Sequence, residues 1–219
     1  NIVSSRIGGI PRFARNDNRL QREFSSSEYA KVVQGVVAGE PPAIDLAAEK
    51  RLIECLVALA PIRSGLAAEG VVQSAHDVSD GGLAVTLAEC CFAGALASSP
   101  VNLGAHVSLP GVGALLAAPP EGGGKPPHST EPLEYALFGE RGARAVVSVA
   151  PAQLARLNAL AAQYNVAAQT IGRVVSSSAP SGAGDTDLRI QYNGQTVVSA
   201  TVGSLHDAWA NSLERAVTG

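Results

Sequence analysis

The chain has 219 residues, 46% of them hydrophobic and only 16% charged, with a formal net charge of −3. That length can bury a substantial core in one large or two small domains. The small negative charge gives no global attraction to nucleic acid or acidic lipid, so neither is expected as a partner. No apolar run reaches the length of a membrane span, and the opening N-I-V-S-S-R-I-G-G-I-P-R-F lacks the apolar core of a signal peptide. The three cysteines, Cys55, Cys90 and Cys91, form no C-x-x-C pair, and an odd number is a poor disulfide framework. They read as buried small side chains in a reducing compartment, and the expected location is cytoplasmic. The absence of methionine, even at position 1, suggests a fragment of a longer chain.

In chain order, residues 1–24 carry Arg6, Arg12, Arg15, Arg19 and Arg22 among Gly, Asn and Ser, and read as an arm or linker with little regular structure. From Ser25 a folded domain is expected to run to residue 219. Ser25 with Glu28 fits a capping box. Tyr29, Val32, Val33, Val36 and Val37 then supply an apolar helical face, which Gly39 and Pro41-Pro42 end. Asp45 caps a second helix with Leu46, Leu52, Ile53, Leu56, Val57 and Leu59 on its buried side, and Pro61 stops it. V-V-Q-S-A-H reads as a buried strand, and Gly82 to Phe92 as an apolar helix closed by Gly94. Val101 to Leu109 predicts a strand, and the Pro/Gly-rich stretch 118–132 a flexible loop. Ala145 to Val149 predicts a strand and Pro151 the first turn of a helix reaching Gln163. Another strand follows at Ala167 to Val175. Asn193-Gly194 between alternating segments marks a hairpin with a type I′ turn. The last helix is expected from Ser204 to Val217, with Leu205, Trp209 and Leu213 on one face. Interspersed helices and strands predict an α/β or layered α+β fold, a mixed sheet packed with helices.

The densest polar chemistry lies at S-A-H-D-V-S-D-G-G-L, Ser74 to Leu83, at the junction of a predicted strand and helix. A helix start presents free N–H groups and a positive pole to anions, and glycines let a phosphate approach the backbone closely. Carboxylates are misplaced beside a bare phosphate, yet suit a Mg²⁺ ion held between them and phosphate oxygens. His76, Asp77, Ser79, Asp80, Gly81 and Gly82 are therefore candidates for a nucleotide-phosphate and Mg²⁺ site. The same residues also fit a plain capped helix start, with Asp77 or Ser79 as cap, Gly81-Gly82 as a tight turn and His76 half-buried. A phosphate loop of the G-x-x-x-x-G-K-[ST] type is absent. A second cluster, L-F-G-E-R-G-A-R, places Glu140 beside Arg141 and Arg144, as a substrate clamp or a surface ion pair.

S-A-H-D-V-S-D-G-G-L-A-V-T-L-A-E resembles the C-terminal domain of the phosphoribosylformylglycinamidine synthase family, in the aminoimidazole ribonucleotide synthase superfamily. S-S-E-Y-A-K-V-V-Q-G, P-P-A-I-D-L-A-A-E-K-R-L, L-F-G-E, I-G-R-V, N-G-Q-T-V-V-S and L-H-D-A-W follow the same family in the same order, from about Ser26 to Leu213. The resemblance implies a layered α/β domain of a ligase that converts formylglycinamide ribonucleotide, ATP and ammonia to formylglycinamidine ribonucleotide. It also implies ATP and Mg²⁺ as cofactors, with further ATP-binding domains and a glutaminase domain or subunit as partners. Carried over by motif, Asp77 is the Mg²⁺ ligand and Ser79 contacts ATP; the phosphate role of Asp80, Gly81 and Gly82 rests on the helix-start argument. Three features depart from the family: the arm before Ser25 does not look like the family's preceding ATP-binding domain, Ser25-Ser26 stand where glycines are usual, and the 119–132 stretch looks inserted. A stand-alone binding or scaffolding domain of the same fold, or another ATP-dependent member of the superfamily, are the alternatives.

Overall fold

The computed structural model describes residues 1–6, 17–60, 70–96, 103–109, 133–176 and 186–218. Among them are seven strands and eight helices: β1 (Ile2–Arg6), α1 (Asp17–Phe24), α2 (Glu28–Gln34), α3 (Leu46–Leu59), β2 (Val72–Asp77), α4 (Gly82–Leu96), β3 (Leu103–Leu109), α5 (Leu133–Phe138), β4 (Arg144–Val149), α6 (Leu154–Gln163), β5 (Ala167–Ser176), β6 (Asp187–Tyr192), β7 (Gln195–Thr201), α7 (Val202–Ala210) and α8 (Ser212–Thr218). Parallel and antiparallel strand pairs occur together with helices, which is the expected α/β class. The chain divides into two units, residues 1–86 with 110–171 and residues 87–109 with 172–219.

In the first unit β4 is flanked by two antiparallel partners. β1 pairs with it from Ile2↔Ser148 to Arg6↔Arg144, and β2 from Val72↔Val149 to Asp77↔Ala145, with a register shift between Val72 and Ser74. The core gathers Val3, Val147 and Val149 from these strands, Leu52, Cys55 and Leu59 from α3, and Leu157 and Ala161 from α6. α3 is set by its sequence at both ends. Asp45 accepts a hydrogen bond from the Ala48 amide at 3.0 Å, and Ala60, immediately before Pro61, is already extended. A 3-10 turn, Pro151–Gln153, leads into α6, as the proline's preset φ favours.

In the second unit β3 pairs antiparallel with β5 and parallel with β6, and β6 pairs antiparallel with β7. Asn193 (φ 51°) and Gly194 (φ 79°) both lie in the left-handed region that a type I′ turn requires, as their dipeptide predicts. Ala105, Val107, Leu109, Leu188 and Ile190 are buried, as are Leu87, Cys91 and Phe92 of α4. Burial pushes the Cys91 thiol up to about 12, and burial, with Glu89 nearby, pushes Cys90 up to about 11. Thiols so seldom ionised act as packing groups, the role expected of them.

Several expectations are corrected. Residues 1–24 are not without regular structure: Ile2–Arg6 is a strand whose Val3 is 1% exposed, and Asp17–Phe24 is a helix. α2 is capped by Ser27 rather than Ser25 and ends at Gly35, whose φ of 67° admits the left-handed turn. Val32, Val33 and Val37 lie exposed rather than on a buried face, and so do Leu46, Ile53 and Val57 of α3. β2 is not a buried strand, since Gln73, Ser74 and Ala75 are exposed along it. The final helix breaks at Asn211 into α7 and α8, and Trp209 and Leu213 are exposed. The 118–132 stretch lies outside the described residues.

Candidate functional site

The polar turn leaves β2 at Asp77 and enters α4 at Gly82. Its backbone is pinned at several points. The Val78 amide donates to the Arg144 carbonyl at 3.0 Å, extending the β2–β4 ladder by one bond, and the Val78 side chain is buried. Gly82 N–H donates to the Ser79 carbonyl at 3.0 Å, closing the turn on itself. The Thr86 hydroxyl, itself buried, donates to the Asp77 carbonyl at 3.2 Å. His76 Nδ1 lies 2.7 Å from that carbonyl and 3.5 Å from Asp77 Oδ1. A carbonyl can only accept, so Nδ1 carries the proton. With the backbone thus held, the carboxylate of Asp77, 76% exposed, and the side chains of Ser79 and Asp80 face solvent.

Gly81 and Gly82 have φ of 76° and 68°, a conformation that side chains resist. A Cβ on Gly82 would stand 2.7 Å from the Phe138 backbone, so α4 begins in direct contact with the end of α5. One residue earlier, the Gly81 N–H donates to Glu140 Oε1 at 2.8 Å, and the same oxygen accepts the Glu28 N–H of α2 at 2.9 Å. The two glycines therefore have a structural occupation: they let the turn close onto the segment 133–140.

Glu140, expected beside Arg141 and Arg144 as a substrate clamp or a surface ion pair, instead gives one oxygen to two backbone amides. Arg141 pairs instead with Glu23 at 3.0 Å. Arg144 folds back, Nε donating to the Arg141 carbonyl at 3.0 Å and its terminal nitrogen to the Gly139 carbonyl. α5, missed in the sequence, is secured by aromatic rings. Tyr135 stacks on Phe24 with centroids 4.1 Å apart, and Phe138 stacks on Tyr29 at 4.4 Å. Recurrent aromatics at positions 24, 29, 135 and 138 were the available signal.

Among the described residues, no three His, Cys, Asp or Glu side chains converge as a metal cage. An exposed carboxylate such as Asp77 still fits Mg²⁺, which takes one or two carboxylates and fills its other positions with phosphate and water. The turn thus fits the cation when a phosphate accompanies it. Among the described residues no helix is long and apolar enough to cross a membrane.

Residues 21–183 match the family model described as AIR synthase related protein, C-terminal domain. The chain belongs to that family. The turn, α5 and Glu140 all fall within the matched region of this AIR synthase related domain. The chain is 36% identical over 208 residues to the phosphoribosylformylglycinamidine synthase subunit PurL of Synechococcus elongatus, covering 94% of this chain and 22% of that protein. To the PurL subunit of Prochlorococcus marinus it is 34% identical over 192 residues, covering 88% of this chain and 20% of that one. It spans about a fifth of the length of these curated relatives. Among solved structures, T. maritima PurL complexed with FGAR superposes with a TM-score of 0.57 at 21% identity, over 93% of this chain and 27% of that one. T. maritima PurL complexed with ATP gives 0.53 at 20% identity, over 93% and 25%. At such identities the likeness concerns the fold.

Proposed function

We propose that this domain forms one wall of an ATP and Mg²⁺ site in a purine-biosynthesis ligase. That enzyme would convert formylglycinamide ribonucleotide, ATP and glutamine-derived ammonia to formylglycinamidine ribonucleotide, ADP and phosphate. The observation that carries the reading is the polar turn: a strand-to-helix junction, fixed through its backbone, that leaves Asp77, Ser79 and Asp80 exposed. A helix start that served only itself would spend such side chains on its own amides. The similarity to PurL along nearly the whole chain supports the ligase assignment.

In this reading Asp77 holds Mg²⁺ and Ser79 contacts ATP. His76 orients Asp77 through the contact between its Nδ1 and the neighbouring residue. Asp80 lies close enough in sequence to take part through water. Gly81 and Gly82 shape the turn, since the Gly81 N–H is already engaged by Glu140. The cation, when bound, would offset the charge of the phosphate oxygens. Phosphoryl transfer also needs cationic groups around the terminal phosphate. This chain has no phosphate loop of the G-x-x-x-x-G-K-[ST] type to supply them, so the domain is inactive alone and works with the ATP-binding domains and a glutaminase domain or subunit of its enzyme.

The test is Asp77→Asn in the full-length protein that carries this domain, assayed for ATP-dependent turnover across a Mg²⁺ titration. Asn keeps the shape and one polar oxygen while removing the charge. The expected loss is about 2–4 kcal/mol of transition-state stabilisation, roughly 30- to 1000-fold in rate. Melting temperature is expected to stay unchanged, because the side chain is exposed. Unchanged turnover at limiting Mg²⁺ would remove the metal role from Asp77.

A further inference from the structure

We infer that Glu140 is the positioning residue of the turn: by accepting from Gly81 N–H and Glu28 N–H with one oxygen, it fixes where Ser79 and Asp80 are presented beside Asp77, which β2 itself holds. The inference rests on the nucleotide reading above and adds to it the element that sets the site's geometry. In a capping box, a glutamate three residues into a helix reaches back to the N–H of the residue before the helix. Gly81 holds that preceding position at α4, but the glutamate that serves it comes from 59 positions away in the chain.

The turn needs such an outside anchor. A residue pair with φ of 76° and 68° and no side chains can swing more freely than any other. Downstream of it, the buried Leu83 and Ala84 hold α4; upstream, the Val78 amide is tied to Arg144. Between these ends the Gly82 N–H closes the turn on the Ser79 carbonyl, and Glu140 is the side chain that ties the Gly81 amide to the rest of the unit, itself held by the stacked rings of α5 just before it. Its carboxylate also occupies a donor that a phosphate would otherwise use. Nucleotide should therefore meet the turn through Asp77 and Ser79 rather than through the Gly81 amide.

Position and charge are separable at this residue. Gln keeps an acceptor oxygen at the same place, Asp keeps the charge but withdraws the oxygen by one methylene, and Ala removes both. The experiment measures Mg·ATP affinity by calorimetry, amide exchange at Gly81 and melting temperature in the full-length protein. Glu140→Gln is expected to bind within about threefold of wild type with Gly81 still protected, whereas Glu140→Ala binds about tenfold more weakly, the scale of one hydrogen bond, with Gly81 exchanging fast. Wild-type affinity in Glu140→Ala, or equal weakening in Glu140→Gln, overturns the inference. A carboxylate that merely stabilised the fold would lower the melting temperature and leave affinity alone, which also overturns it. If Glu140→Ala does not fold, Glu140→Asp takes its place, with the same tenfold loss expected and wild-type affinity overturning the role. A wild-type protein that protects Gly81 but binds no Mg·ATP overturns the nucleotide reading itself, and the positioning role with it.

Discussion

Helices α3 and α4 begin in opposite ways. α3 is started from within: Asp45, the residue before it, accepts the Ala48 amide at 3.0 Å. At α4 the residue before the helix is Gly81, which has no side chain, and its own amide is satisfied by Glu140 from beyond β3 and α5. The consequence appears in the neighbouring carboxylates. Asp45, though exposed, commits an oxygen to its helix, while Asp77, 76% exposed, has its carboxylate beside His76 and its backbone carbonyl held by Thr86. A remote partner at the helix start leaves local polar groups available for other work.

The comparison can be broken most severely at Gly82. Gly82→Ala would force a Cβ to 2.7 Å from the Phe138 backbone in a left-handed conformation. It is expected to cost about 3 kcal/mol or more, read as a large fall in the urea midpoint. A loss under 1 kcal/mol would mean that α4 does not begin against α5. Asp45→Ala tests the local start and should cost about 1 kcal/mol, with Asp45→Asn nearly neutral, because either oxygen accepts the same amide. The smallest effect comes from extending the contrast to two His–Asp contacts, His76–Asp77 between neighbours and His106–Asp187 across 81 positions. The hydrogen bond from His106, aided by Arg189, holds the Asp187 carboxyl below its ordinary 3.8. A carboxylate more acidic folded than unfolded adds stability above its unfolded value and loses it as pH falls through the lower, folded one. Asp187→Asn should therefore be slightly less stable than wild type at neutral pH, and the gap should close as the medium is acidified below about pH 4. A gap independent of pH would remove the contribution of that charge.

This contrast also accounts for what the sequence made legible. Asp45, Pro61, Pro151 and Asn193-Gly194 act on the backbone within a few residues of themselves, and the elements they bound were read from them. The polar turn was found because its unusual side chains are adjacent. What escaped needed partners distant in sequence. No local pattern distinguishes Val33, exposed, from Leu52, buried, because the difference lies in what packs on each. Ile2–Arg6 looked like part of a basic arm, and β4, which makes it a strand, lies more than a hundred residues away. Glu140 sits beside two arginines, which suggests a substrate clamp or a surface ion pair, while its contacts lie with Gly81 and Glu28.

The turn at Asn193-Gly194 has a consequence in time as well as in shape. Hairpins close in about 1–10 μs, whereas a strand that must find a partner far along the chain first bears the entropy of closing a long loop. β6 and β7 need only two residues between them, but the parallel pairing of β3 with β6 brings Ala105 to Leu188. The hairpin is thus expected to form early and offer β6 as a template on which β3 is laid down later. Gly194→Ala, at φ 79° and with open space around it, should then mainly slow folding, while Val107→Ala in β3 should mainly speed unfolding. Stopped-flow folding of the two variants reads that order directly, and the reverse pattern would place β3 ahead of the hairpin.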